Sequence, residues 1–132
     1  MQADARTQAN LRKGVLEGCA LAVIGHGDIY GRDLAKRLFE LGLLASEGSL
    51  YPMLARLREA GLVETQWRES AVGPPRRYYR LTPAGTEAVG VFEAGWQALA
   101  VSVGQALAPP HTTTDEASDE ALDDERDERN PR

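Results

Sequence analysis

A chain of 132 residues, 42% of them hydrophobic, has material for one domain with a core, and its single cysteine, Cys19, excludes an intramolecular disulfide. The formal net charge of −5 argues at first sight against a nucleic-acid partner. From Pro109 to Arg132, however, three arginines stand against nine acidic residues, whereas Gly31 to Arg80 holds nine basic residues against six acidic ones. The acidity belongs to a tail, and the middle of the chain is mildly basic. No run approaches the roughly 18 apolar residues of a membrane span. MQADARTQAN carries no apolar signal region, so no membrane partner is expected and a reducing cytoplasm suits the chain.

In chain order, residues 1–9 read as a flexible polar arm. The run LRKGVLEGCALAVI then reads as one helix to Ile24, with Asn10 as its cap. Its apolar residues fall on two faces, Leu11, Val15, Gly18 and Ala22 on one and Leu16, Cys19, Val23 and Ile24 on the other. One face can meet the core; the other needs a second surface, such as another subunit. Cys19, in an apolar run, reads as an inert buried thiol. Gly25-His26-Gly27-Asp28 is a turn, and His26 has no ligand cluster at metal spacing around it.

A helix from Tyr30 or Gly31 to Leu41 repeats Leu34, Leu38 and Leu41, and Gly42 ends it. The next helix, SEGSLYPMLARLREAGL, carries a stripe of Leu50, Met53, Leu54 and Leu57. Ser46 can cap it and Gly61 can close it. A start near Ser49 puts Pro52 in the tolerant first turn, whereas a start at Glu47 would crowd its ring against the Gly48 carbonyl. The pair of helices fits a helix-turn-helix and fits a bare helical hairpin equally.

After Gly61 the period changes to 2. Leu62 to Glu69 and Arg76 to Leu81 read as a β-hairpin, joined by a loop of Ser70 to Pro75 because Pro74 and Pro75 lack amide donors. Tyr79 and Leu81 share the inner parity; Arg76, Tyr78 and Arg80 share the outer one, a solvated face or a phosphate-contacting ridge. Thr82-Pro83 starts a helix running to about Leu107, with a seam of Ala88, Phe92, Trp96, Leu99 and Val103. Gly85, Gly90, Gly95 and Gly104 each cost a helix interior about 0.8 to 1 kcal/mol, so a partner is expected to hold it. Pro109-Pro110 stops it, and residues 109–132 read as a disordered acidic tail.

The order LRKGVLEGCALAVI, IYGRDLAKRL, SEGSLYPMLARLREAGLVE and GPPRRYYRLTPAG closely resembles the PadR family of bacterial transcriptional regulators over roughly residues 11–107. The single C-terminal helix is similar to the short subfamily. The resemblance implies a mainly α fold with a small β-hairpin: a winged helix-turn-helix over residues 10–81 and a dimerisation helix over residues 82–108. It implies a homodimeric repressor that binds a palindromic operator in double-stranded DNA and leaves it when a small effector binds. On that footing the DNA-binding residues are Tyr30 and Arg32 on the supporting helix, Ser49, Tyr51, Pro52 and Arg56 on the recognition helix, and Arg76, Arg77, Tyr78 and Arg80 on the wing. The dimer interface would hold Leu11, Val15, Phe92, Trp96, Leu99 and Val103. Trp96 suits stacking on a flat aromatic effector and suits interface packing equally. No cofactor, metal site or enzymatic motif is expected. The alternatives are a winged-helix module for protein contacts, which the acidic net charge also suits, and a small-molecule sensor acting without DNA.

Overall fold

The computed structural model describes residues 4–110, and the chain divides after Gly95 into two compact units. The first unit begins with helix α1, Ala5–Lys13, where the sequence suggested an arm. Asp4 accounts for the difference. Its carboxylate accepts the Thr7 amide at 2.7 Å, an N-cap bond that also holds the carboxyl below the usual range. Asn10 therefore lies inside a helix rather than capping one. The long helix expected to follow is broken at Gly14 and Val15, and α2 occupies Leu16–Ile24. The two expected apolar faces are not what the structure buries: one member of each, Gly18 and Ile24, is buried together with Ala20 and Leu21, which belonged to neither. Leu11 sits on α1, which buries nothing, while α2 buries Gly18, Ala20, Leu21 and Ile24.

A two-residue strand β1, Ile29–Tyr30, precedes α3, Gly31–Glu40. Helix α3 buries Leu34, Ala35 and Leu38, but Leu41 is largely exposed, and Leu44 beyond the turn takes the inward place expected for it. Gly42 makes this possible by adopting a φ of +76°, as Gly61 does at +77° after the next helix. A single 3-10 turn, Glu47–Ser49, leads into α4, Leu50–Glu59, so the α-helix proper is shorter than the apolar pattern suggested. Its stripe of Leu50, Met53, Leu54 and Leu57 is buried as expected. Ser46 is not the expected side-chain cap; its carbonyl instead accepts from the Ser49 hydroxyl at 2.7 Å.

Strands β2, Val63–Ser70, and β3, Gly73–Leu81, complete an antiparallel sheet in the order β1-β3-β2. The hairpin is longer than expected, because Ser70 pairs with Gly73 and only Ala71 and Val72 form the turn. Pro74 and Pro75 thus lie within β3. They are tolerated because the register shifts there, Arg68 pairing with Arg76 and Ser70 with Gly73, which leaves Glu69 unmatched opposite the two prolines. Tyr79 packs into the core with Val63 and the helical leucines, and Leu81 packs against it.

Helix α5, Pro83–Leu107, starts as Thr82-Pro83 predicts: the Thr82 hydroxyl accepts the Gly85 amide at 3.0 Å and donates to the Gly61 carbonyl at 2.6 Å. Gly85 is buried with the Leu62 carbonyl in the space a β-carbon would need. Phe92, assigned above to a dimer interface, lays its ring on Gly18 of α2 in its own chain. In the second unit, α5 continues to Leu107 with Trp96, Leu99, Val101 and Val103 all roughly half exposed. The acidic stretch after Pro110 lies outside the described residues. No described helix is long and apolar enough to cross a membrane.

Candidate nucleic-acid interface

The first turn of α4 is where the sequence placed base recognition. The 3-10 turn ends at Ser49 and α4 starts at Leu50, so Pro52 falls in the first helical turn, where no amide is required of it. Leu50, Met53 and Leu54 anchor that turn from below, which leaves Ser49, Tyr51 and Pro52 outward and exposed. Tyr51 is held sideways as well: its ring edge lies beside Gly31, close to the ring of Tyr79. A β-carbon on Gly31 would sit 3.2 Å from Tyr79 and 3.7 Å from Tyr51, so the start of α3 is seated between the recognition helix and the sheet. Arg32 beside it is exposed. Arg56 is placed differently from expectation. It bonds Glu17 of α2 at 3.1 Å, turned toward its own chain in an exposed pair worth little to stability.

The sheet sorts the remaining residues onto two faces through its register. Asp28, Tyr30, Arg68, Arg76, Tyr78 and Arg80 share the outer face, because Tyr30 pairs with Tyr78 and Arg68 with Arg76. They form a continuous cation–aromatic arrangement. The Arg68 guanidinium lies 4.4 Å from the Tyr78 ring centre, the Arg76 guanidinium lies 4.8 Å from that of Tyr30, and the two tyrosine rings are 6.0 Å apart. Asp28 closes one end. Its Oδ2 accepts from Arg80 at 2.9 Å and from Arg68 as well, and Arg80 also reaches Glu64 at 4.0 Å. Arg77 faces the other way, beside Trp67 and Tyr79, with its Nε buried and unpartnered. Trp67 on that side is 64% exposed.

The structure leaves Ser49, Tyr51, Pro52 and Arg32 exposed on the helices, sets Tyr30, Arg76 and Tyr78 on the outer sheet face and Arg77 on the opposite one, and ties Arg80 into an ion-paired network. Sequence pattern missed three contributors. Arg68 and Trp67 lie in a strand read from its Val, Thr and Trp content, with no site role given to either, and Asp28 read as a turn residue. The strand parity of β2 is the signal that identifies the first two.

The Asp28 network carries a pH signature. Hydrogen bonds from Arg80 and Arg68 favour the charged carboxylate and hold its pKa below the ordinary value. Because the folded pKa is the lower one, the contribution of this carboxylate to stability is complete above the unfolded value and is lost as pH falls through the folded value. Carbon-13 titration of the Asp28 carboxyl should show it still charged where an aspartate in an unstructured peptide has protonated. An ordinary titration would mean the network is absent in solution.

Comparison with known proteins identifies the family. Residues 20–90 match the profile of the transcriptional regulator PadR-like family. The chain belongs to the PadR-like family of transcriptional regulators. A PadR-like regulator from Bacillus cereus is 37% identical, with a TM-score of 0.70 over 76% of this chain and 98% of its own. A PadR family regulator from Eggerthella lenta is 32% identical, with a TM-score of 0.70 over 78% of this chain and 90% of its own. A curated transcriptional regulator of Mycobacterium tuberculosis is 40% identical over 62 residues, 47% of this chain, and the match spans only 57% of that relative's length. Bacillus subtilis PadR, solved in complex with operator DNA, shares the fold at 23% identity and a TM-score of 0.54, over 59% of this chain and 46% of its own. These PadR relatives make the mainly α, winged-helix architecture a family property.

Proposed function

We propose that this PadR-like protein is a homodimeric repressor that binds a palindromic operator and is released by a small, flat effector. The observation that carries the DNA-binding part is the outward turn of Ser49, Tyr51 and Pro52, flanked by a wing whose Arg76 and Arg77 pair with no carboxylate among the described residues. Ser49 and Tyr51 offer hydroxyls and an aromatic edge to base edges and thymine methyls in a major groove. Arg76 and Arg77 offer charge to phosphates, with Tyr30, Arg32 and Tyr78 beside them. Two such helices separated by roughly 34 Å in a dimer would meet successive major grooves and so select a palindrome. That Bacillus subtilis PadR was solved on operator DNA supports this use of the fold.

The exposed seam on α5, together with Leu11 at 64% exposure and half-buried Val15, supports pairing of two chains through helices. Trp96, half exposed within that seam, is the side chain best suited to stack on a flat aromatic effector.

Binding of the protein to its own upstream DNA, measured across a salt series, tests the reading. The Arg76→Ala/Arg77→Ala variant should weaken binding to operator and random duplex alike and flatten the salt slope by about two per protomer. Binding that leaves the slope unchanged would remove the wing from the interface, and no binding to any upstream duplex would overturn the proposal.

A further inference from the structure

The outer face of the wing carries three arginines, yet they are not equivalent. Arg76, directly opposite Arg68 in the strand register, stacks on Tyr30 and has no carboxylate partner among the described residues. Arg68 and Arg80 both donate to a single oxygen of Asp28, whose side chain is 29% exposed, and Arg80 is also near Glu64. Asp28 reaches them from the loop before β1, so the contact joins the α2–β1 turn to both long strands of the sheet. A carboxylate oxygen that accepts from two guanidiniums presents the same chemistry as a phosphate oxygen on a DNA backbone.

We propose that Asp28 occupies the place of a DNA phosphate between Arg68 and Arg80 and, with Glu64 beside Arg80, offsets their two charges, so that the electrostatic hold of this face on DNA rests mainly on Arg76. The inference rests on the DNA-binding reading above and adds a specificity-setting residue to it. Sequence-independent affinity grows with the number of phosphates a protein neutralises, and base readout does not. Two arginines occupied from within the chain therefore lower the affinity for random DNA while leaving Ser49 and Tyr51 untouched. The ratio of operator to random affinity rises as a result. This role also gives the mildly basic segment a physical purpose, since its excess of arginines is not all available to the duplex.

The test compares salt slopes for the full-length protein on its own upstream DNA and on a random duplex, in parallel with thermal melting to confirm folding. Asp28→Asn should bind random duplex severalfold more tightly at low salt, with a slope steeper by about one per protomer. Arg68→Ala/Arg80→Ala in the parent should leave the slope nearly unchanged, and adding the same pair to Asp28→Asn should abolish the gain. A slope in Asp28→Asn equal to or shallower than the parent's would overturn the proposal. So would a parent Arg68→Ala/Arg80→Ala variant that flattens the slope as much as Arg76→Ala. Should Asp28→Asn melt early, Asp28→Glu provides the second measurement: the longer carboxylate can still pair, so its slope should stay with the parent, and a steep slope there would also sink the idea. If the parent itself shows no salt-dependent binding to either duplex, the DNA-binding reading fails and this inference with it, whereas loss of the slope in Arg76→Ala/Arg77→Ala alone preserves that reading.

Discussion

Replacing Leu99 and Val103 together by aspartate is expected to yield a monomer whose operator affinity is at least a hundredfold lower. Leu99 is 56% exposed and Val103 47%, so the substitutions remove no core packing from the single chain. Trp96, Val101 and Leu107 are exposed on the same helix, at 50%, 61% and 81%. Burying a large apolar side chain contributes roughly 1.5 to 3 kcal/mol, so the four on one stripe, Trp96, Leu99, Val103 and Leu107, represent a large driving force left unused in one chain, whereas Val101 lies on the opposite side of the helix. The four glycines of α5 point the same way, because at about 0.8 to 1 kcal/mol each they make the isolated helix weak. Two aspartates per chain would place four charges in the buried seam, where unpaired charge is costly. A monomer then holds one half-site instead of two, and each factor of ten in affinity corresponds to about 1.4 kcal/mol. Sedimentation velocity and operator titration on the same samples check both parts. A dimer that survives the substitutions would move the interface away from α5.

Gly85→Ala is expected to destabilise the fold by about 3 kcal/mol, a fall of 10 °C or more in Tm for a unit of this size. The obstruction is the backbone carbonyl of Leu62, which cannot swing away as a side chain can. That carbonyl accepts the Thr82 amide at 3.1 Å, so relieving the clash also strains the bond that fixes the start of α5. Alanine's gain in helix propensity, about 1 kcal/mol at most, opposes the loss without offsetting it. Gly90 is the internal control. Nothing approaches within 4 Å of a β-carbon built there, so Gly90→Ala should leave Tm unchanged or raise it slightly. Thermal denaturation followed by circular dichroism separates the two, and equal behaviour would show that the β3–α5 junction is looser than the structure has it.

Apolar stripes and several of the start and stop signals were legible from the residues. The leucine stripe of α4, the Gly42 and Gly61 terminations and the Thr82-Pro83 start each follow from periodicity or from a backbone preference acting locally. What escaped depends on partners distant in sequence. Strand β1 has two residues and exists because Tyr30 and Ile29 meet Tyr78 and Tyr79. Helix α1 is the local exception: its cap is Asp4, three residues from Thr7, but the stretch has no apolar pattern to mark it as a helix. Asp28 acquires its meaning from arginines 40 and 52 positions away. Within the candidate site, Ser49, Tyr51, Pro52, Arg76 and Arg77 were accessible through the family motif, while the division of the arginines into paired and unpaired ones required the folded sheet.

The two prolines of β3 bear on how this chain avoids unwanted association. Strand β1 covers β3 only at Tyr78 and Tyr79, so the stretch from Gly73 to Arg77 has no neighbour on that side among the described residues. An uncovered strand edge invites another chain to continue the sheet. A strand docking there would find Pro74 and Pro75 without amide hydrogens, and a neighbouring register already bent by Glu69. The prolines thus deny this edge of the wing to a strand from a second molecule.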